Sequence, residues 1–259
     1  MTKLTIITVN YNNCEGLMTT LESVKNQLYQ NFEYLIIDGG STDGSLKLIE
    51  ENSSSIDYWE SESDKGVYQA MNKGIRKATG EYLLFLNSGD HFYSDTVLQQ
   101  NHNFLKEKDI IYFNLQVIEG NKSYIKKYPD ILSFSYFVTD TLPHPATFIK
   151  KEAFLKTEFY KEDFKIVSDW KFFIDAICKY NLSYKKIKNT LSTFYLGGMS
   201  SYPENVKVIF DEKQEVLNSI YPAYLQDLEE VIANKNIVNT LRESRIINLL
   251  VKLRFLNKF

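Results

Sequence analysis

At 259 residues, 44% hydrophobic and 24% charged, the chain has the composition of a globular protein large enough to bury a substantial core. Its formal net charge of −3 argues against nucleic acid as a partner, which needs a basic field, so any anion bound here must be held locally. Two cysteines, Cys14 and Cys178, stand far apart with no C-x-x-C pair, pointing away from a disulfide framework or structural zinc and toward a reducing, cytoplasmic setting.

The opening "MTKLTIITVNYNN" has too short an apolar run for a secretory signal and reads as a first strand. "GLMTTLESVKNQ" follows with helical spacing at Leu17, Leu21 and Val24. "FEYLIIDGG" predicts a second strand, then come a polar turn, "SLKLIEEN", and a short third strand in "IDYWES". "VYQAMNKGIRKATG" reads as a helix closing at Gly80, and "EYLLFLNSGD" as a fourth strand. Strands without alternation, separated by single helices, predict an α/β fold with a mostly parallel central sheet and helices on both faces. From about residue 109 the character changes. "DIIYFNLQVIEGNKSYIKKY" predicts a hairpin around Glu119–Gly120–Asn121, and "PHPATFI" sets His144 between two prolines. Helical spacing returns in "SDWKFFIDAICKY", "LSYKKIKNTLSTFYL" reads as strand, and after Gly197–Gly198 the chain is mostly helical.

Ligands of a parallel α/β sheet bind beyond the carboxyl ends of its strands, and polar residues collect at those ends here. They are Asn10, Tyr11 and Asn12; Asp38, Gly39 and Gly40; Asp64 and Lys65; and Asn87 through Asp90. "DGGSTDGS" is neither G-x-G-x-x-G nor G-x-x-x-x-G-K-[ST], which disfavours dinucleotide oxidoreduction and P-loop phosphoryl transfer. Asp38, the first polar residue after "YLII", can accept hydrogen bonds from a base or ribose, and Tyr11 offers a ring for stacking.

The series "IITVNYNN…IIDGGSTDGS…DKGVYQAMNKGIRKATGEYLLFLNSGD" resembles the nucleotide-sugar half of inverting glycosyltransferases of family 2, with the Rossmann-like GT-A fold. The subgroup it most resembles works on bacterial surface polysaccharides. The likeness is strong over residues 3–95 and continues weakly through "HPATFI" and "FKIVSDWKFF" to about residue 200. It implies a GT-A domain over 1–200, split into a nucleotide-sugar half (1–95) and an acceptor half (96–200), with a helical extension over 201–259. It places Asn10 and Tyr11 beside the base, Asp38 and Asp64 on base and ribose, and Lys65, Asn72, Asn87 and Ser88 near the nucleotide. The family's Asp-x-Asp metal motif keeps its last carboxylate as Asp90, while Asn87 and Gly89 stand at the earlier positions. One carboxylate implies a Mn²⁺ or Mg²⁺ ion that takes its other ligands from water and the donor diphosphate. The general base falls on Asp169, where Ser168–Asp169 replaces a Glu-Asp pair; the competing role is a cap for the following helix. His144 is the rival base and is assigned to acceptor positioning, and Trp170 offers a platform for a sugar. The glycines of "YLGGMSSYP" suit either a flap over the diphosphate or an ordinary turn.

The implied reaction moves a sugar from a nucleotide sugar, a UDP-sugar by resemblance, to a glycan or lipid-linked acceptor. The alternatives are a nucleotide-sugar sensor without turnover and a sugar-nucleotide synthase; "VNYNNCEG" lacks the basic, glycine-rich loop a synthase needs. In the tail, Lys235 to Phe259 holds six basic residues and one acid, with an apolar stripe at Ile246, Leu249, Leu250, Leu253 and Leu256. Packing on the catalytic domain, a homodimer contact, and a helix over 236–259 lying on the anionic inner face of a membrane all remain open.

Overall fold

The computed structural model describes residues 3–198 and 201–252. Its first half is a run of β-α-β units. Strand β1 (Leu4–Asn10) leads to α1 (Cys14–Lys25), β2 (Glu33–Asp38), α2 (Ser45–Glu51), β3 (Tyr58–Ser61), α3 (Val67–Lys77) and β4 (Tyr82–Phe85). The crossover helices make these four strands parallel, in the order β3-β2-β1-β4. Every residue of β1 and β4 is buried, as expected for strands covered on both faces. Helix α1 buries Leu17, Thr20, Leu21 and Val24 on one face, and the Asn13 side chain caps it by accepting from Gly16 N at 3.1 Å.

The second half extends the same sheet in mixed fashion. It comprises β5 (His91–Phe92), α4 (Val97–Asn101), β6 (Ile110–Glu119), β7 (Lys122–Lys126), α5 (Phe134–Thr139), β8 (Thr147–Lys150), α6 (Lys151–Lys156), α7 (Ser168–Ile174) and β9 (Tyr184–Tyr195). Strand β8 joins β4 antiparallel and β6 joins β8, while β9 runs parallel to β6 and carries β5 on its far edge. The predicted hairpin is β6–β7, turning at Gly120 with φ 55°. Three residues of "ATFI" and Lys150 form β8, the strand that joins the halves, and α4, α5, α6 and β5 were not foreseen. Their runs are too short for a period to show.

Two compact units are distinguished, Met1–Glu212 and Lys213–Phe259. The division falls inside α8 (Val206–Ile220), later than the expected boundary at 200. Helix α9 (Pro222–Glu243) ends at Ser244, whose extended backbone separates it from α10 (Arg245–Lys252). Part of the predicted apolar stripe, Leu253 and Leu256, lies outside the described residues. Among those described, no helix is long and apolar enough to cross a membrane.

Candidate functional site

A cleft of about 1080 Å³ opens at the carboxyl edge of β1 and β4. Its lining comes from both halves: Asn10, Tyr11, Gly39, Asp64 and Asn87–Asp90 on one side, Tyr124, Lys126, Thr141, His144, Lys165 and Asp169 on the other. A concave site with a few convergent polar groups is the usual form of a small-molecule site.

Strand register decides which polar residues face it. Asn10, Asp38 and Ser61 are neighbours across β1, β2 and β3. Asp38 is 0% exposed; its Oδ1 accepts from Asn10 Nδ2 at 2.7 Å and Ser41 Oγ at 2.6 Å, and its Oδ2 from Ser61 Oγ at 2.6 Å and Ser41 N at 2.9 Å. Burial pushes its pKa up, but the Ser41 and Ser61 hydroxyls, the Ser41 N–H and Asn10 outweigh burial and hold it below the usual range. This carboxylate braces the strand ends and does not line the cleft, contrary to the expected contact with base and ribose.

Gly39 explains what takes that place. A Cβ there would stand 2.8 Å from Asp64 Oδ2 and 3.2 Å from the Tyr11 ring. The missing side chain lets a carboxylate and an exposed aromatic ring (66% exposed) close together over one spot of the cleft. Asp64 Oδ1 accepts from Gly66 N at 3.0 Å. Burial raises the Asp64 pKa, with the nearby charge of Asp38 adding to it and the Gly66 N–H and Lys73 opposing.

At the end of β4 the chain turns sharply. Gly89 has φ 104°, a left-handed region that a side chain would strain, so its departure from the acidic motif has a backbone cause. Thr20 of α1 anchors the turn: its hydroxyl donates to Asp90 O at 2.7 Å and accepts from Gly89 N at 3.0 Å. The Asp90 side chain is only 8% exposed, no donor bonds its carboxylate, and burial pushes its pKa up to about 8. Three buried side-chain atoms of the described residues lack a hydrogen-bond partner: Asn10 Oδ1, Asn87 Oδ1 and Thr141 Oγ1. All three belong to residues that line this cleft. Buried polar atoms are nearly always paired, so such a concentration marks where a ligand's polar groups fit. Ser88 lines the cleft beside them and is tied to α1 by Asn13 Nδ2, which donates to its carbonyl at 3.1 Å.

On the opposite wall, Asp169 sits in the first turn of α7. It makes no capping bond, since Val167 holds the cap position. The buried Tyr68 hydroxyl lies 2.9 Å from Asp169 Oδ1 and also reaches the Ile166 carbonyl, so two acceptors compete for its one proton. Burial, then the charge of Asp169, keeps Tyr68 protonated well above the usual range. His144 stacks on Phe85 at 4.7 Å, and its Nε2 lies 2.8 Å from Tyr160 Oη. Burial lowers its pKa and the Asp169 charge only partly opposes this, so the imidazole is neutral at pH 7.

Besides Asp38, three expected site residues do not face the cleft. Asn72 is buried and clamps the chain ahead of α7, donating to Tyr160 O at 2.8 Å and accepting from Tyr160 N at 3.1 Å. Trp170 is 2% exposed, and its indole N–H donates to Phe137 O at 2.7 Å, which makes it core rather than a sugar platform. The exposed Lys65 is absent from the lining; its backbone N–H donates to Gln69 Oε1 at 2.9 Å. Sequence reasoning missed Thr20 and Tyr68, which read as ordinary helical residues, and Thr141. The Gly197–Gly198 pair does line the cleft, while Met199 and Ser200 lie outside the described residues.

The charge balance states what the cleft lacks. Asp64, Asp90 and Asp169 meet Lys165 and Lys126, and Lys126 is already paired with Asp140 at 2.8 Å. No group of three or more His, Cys, Asp or Glu among the described residues could hold a metal alone. The unbonded Asp90 carboxylate and Asn87 Oδ1 nevertheless fit one hard cation whose shell is completed by a polyanionic ligand.

Residues 5–168 match the family described as Glycosyl transferase family 2. An uncharacterized glycosyltransferase of Mycobacterium tuberculosis is 31% identical over 215 residues, covering 80% of this chain and 80% of its own. A PGL/p-HBAD biosynthesis glycosyltransferase of Mycobacterium bovis is 29% identical over 174 residues, covering 64% of this chain and 66% of its own. In structure the chain is similar to S. aureus TarS 1-349 in complex with UDP-GlcNAc, at TM-score 0.65 and 19% identity, over 86% of this chain and 69% of that one. It is also similar to the mannosyltransferase PcManGT from Pyrobaculum calidifontis in complex with GDP-Man and Mn²⁺, at TM-score 0.58 and 15% identity, over 77% and 58% of the two chains.

Proposed function

The chain belongs to glycosyltransferase family 2 and has a GT-A fold, and within that family we propose that it is an inverting, metal-assisted transferase. The proposed donor is a UDP-sugar, and the proposed acceptor is a hydroxyl of a glycan or lipid-linked sugar in bacterial surface polysaccharide synthesis. One observation carries the reading: Asn10 Oδ1 and Asn87 Oδ1 are buried without partners in one cleft at the carboxyl edge of the sheet, which Asp90, bonded by no donor, also lines. Complexes of structural neighbours with UDP-GlcNAc and with GDP-Man and Mn²⁺ support the ligand class.

In this reading Tyr11, Gly39 and Asp64 form the slot for the base, with Asn10 Oδ1 accepting from a ligand N–H or hydroxyl. Asp90 and Asn87 hold a divalent cation, which when bound neutralises the diphosphate that leaves. Asp169 takes the proton of the acceptor hydroxyl as its oxygen bonds to the anomeric carbon, opposite the breaking bond to the diphosphate. The anomeric centre inverts and the electron pair departs on the nucleotide. His144, neutral and held by Tyr160, orients the acceptor. Membrane contact through 236–259 belongs to this proposal, because a lipid-linked acceptor lies at a membrane face.

A panel of nucleotide sugars with Mn²⁺, read by release of nucleoside diphosphate, tests the function. One donor is expected to turn over, with Asp169→Asn lowering kcat about a hundredfold or more while UDP binding stays. Binding without turnover across the panel would make the protein a sensor; a wild-type rate in Asp169→Asn would remove that residue from the chemistry.

A further inference from the structure

The loop that delivers Asp169 is held by a carboxylate with no part in the chemistry above. Glu212 on α8 accepts from three successive backbone N–H groups: Lys165 N at 2.5 Å through Oε1, and Ile166 N and Val167 N at 3.1 Å each through Oε2. Convergent N–H groups just ahead of a helix are a backbone arrangement that holds anions, and here a side chain of the same chain fills it. Val167 is the cap residue of α7 and makes no side-chain capping bond; Glu212 instead holds the Val167 amide and the two amides before it, fixing the chain where it enters the helix.

The middle one of these residues, Ile166, is also held from the other side. The Ile166 carbonyl accepts from the Tyr68 hydroxyl, which also reaches Asp169. The Ile166 peptide is thus fixed at its N–H by α8 and at its C=O by α3, three residues before the carboxylate that faces the cleft. Upstream, Asn72 clamps Tyr160, and Lys161 N donates to Ser168 Oγ at 2.5 Å. Without Glu212, the segment 165–167 keeps Tyr68 but loses every bond to its amides from α8.

We infer that Glu212 is a positioning residue for Asp169: by bonding the amides of residues 165–167 it sets where the Asp169 carboxylate stands over the cleft, and so the rate of proton removal. The inference rests on Asp169 being the base. It also assigns residues beyond position 200 a part in turnover, which the family-level division at 200 does not provide. A shift of about 1 Å in a reacting group can lower a rate about a hundredfold. Glu212→Ala is therefore expected to act on kcat and leave donor binding alone.

The test uses the full chain, Mn²⁺ and the nucleotide sugar selected by the panel. Glu212→Ala, Glu212→Gln, Asp169→Asn and the double variant Asp169→Asn/Glu212→Ala are compared for kcat, donor KM and calorimetric UDP affinity. The expectation for Glu212→Ala is a kcat loss of about tenfold to a hundredfold, with KM and UDP affinity within about twofold of wild type. Glu212→Gln keeps one acceptor oxygen and the packing, so it loses less, and it carries the test if the alanine variant does not fold. The double variant is expected to be no slower than Asp169→Asn alone, because both changes act through one group. Hydrogen exchange at the amides of Ile166 and Val167 should accelerate in both Glu212 variants. Wild-type kcat in both Glu212 variants, with Asp169→Asn inactive, would overturn this inference and leave the base intact. Equal losses of kcat and UDP affinity would reduce Glu212 to a general structural tie and overturn it as well. Wild-type kcat in Asp169→Asn would overturn the base reading and this inference together.

Discussion

Strands β2 and β4 both run parallel to β1, one on each side of it, and each leads into a carboxylate at its carboxyl end. Asp38 closes β2 fully buried, bonded by Asn10, Ser41 and Ser61, with its pKa held low. Asp90 follows β4 nearly as buried, bonded by no donor, with its pKa pushed up to about 8. Burial alone therefore does not separate structure from function; the hydrogen-bond inventory does. A carboxylate with all its partners stabilises the strand ends, while one left without any is the group proposed above to take a cation.

The comparison breaks first at turnover. Asp90→Ala is expected to lower kcat about a thousandfold, as loss of a charge-stabilising group at the leaving diphosphate does. Steady-state nucleotide release with Mn²⁺ measures it, and the variant should unfold in urea no earlier than wild type. Asp38→Ala should do the reverse. It strands the Asn10 amide and the Ser41 and Ser61 hydroxyls, and is expected to destabilise the fold by about 3 kcal/mol, read from urea midpoints. Whatever Asp38→Ala protein remains folded should turn over at a rate much nearer wild type than Asp90→Ala does.

A smaller effect sharpens the same contrast through pH. A raised folded-state pKa means that native Asp90 holds its proton where the unfolded chain has released it. In the metal-free protein this group's contribution to stability is present below the unfolded carboxylate pKa, near 4, and is lost as pH rises toward about 8. Asp38 has the opposite sign, since its depressed pKa contributes stability above the unfolded value that is lost as pH falls through the folded one. Urea melts in chelator between pH 5 and 8 should decline less steeply in Asp90→Asn than in wild type. An unchanged slope would show that Asp90 is already ionised and otherwise compensated.

The sheet was legible because its strands are long apolar runs with helices at 3.6-residue spacing between them, as at Leu17, Leu21 and Val24. The edge that forms the cleft followed from strand direction alone. Side-chain direction did not. Asn72 and Trp170 share helices with Tyr68 and Asp169, and only packing against the chain around Tyr160 and Phe137 turns the first pair inward. Asp38 and Asp64 looked interchangeable as strand-end acids until register set Asp38 between Asn10 and Ser61. Glu212 had no signal, since its partners are backbone amides that any sequence carries.

Calorimetric titration of Mn²⁺ with and without UDP, on wild type and on Asp90→Asn, tests the central claim most directly. A buried carboxylate and one amide oxygen leave most of the ion's shell to the diphosphate, so Mn²⁺ should bind weakly alone and at least tenfold more tightly with UDP. Asp90→Asn should abolish that gain. Equal Mn²⁺ affinity with and without UDP, or an undiminished gain in Asp90→Asn, would contradict a cation held between Asp90 and the nucleotide.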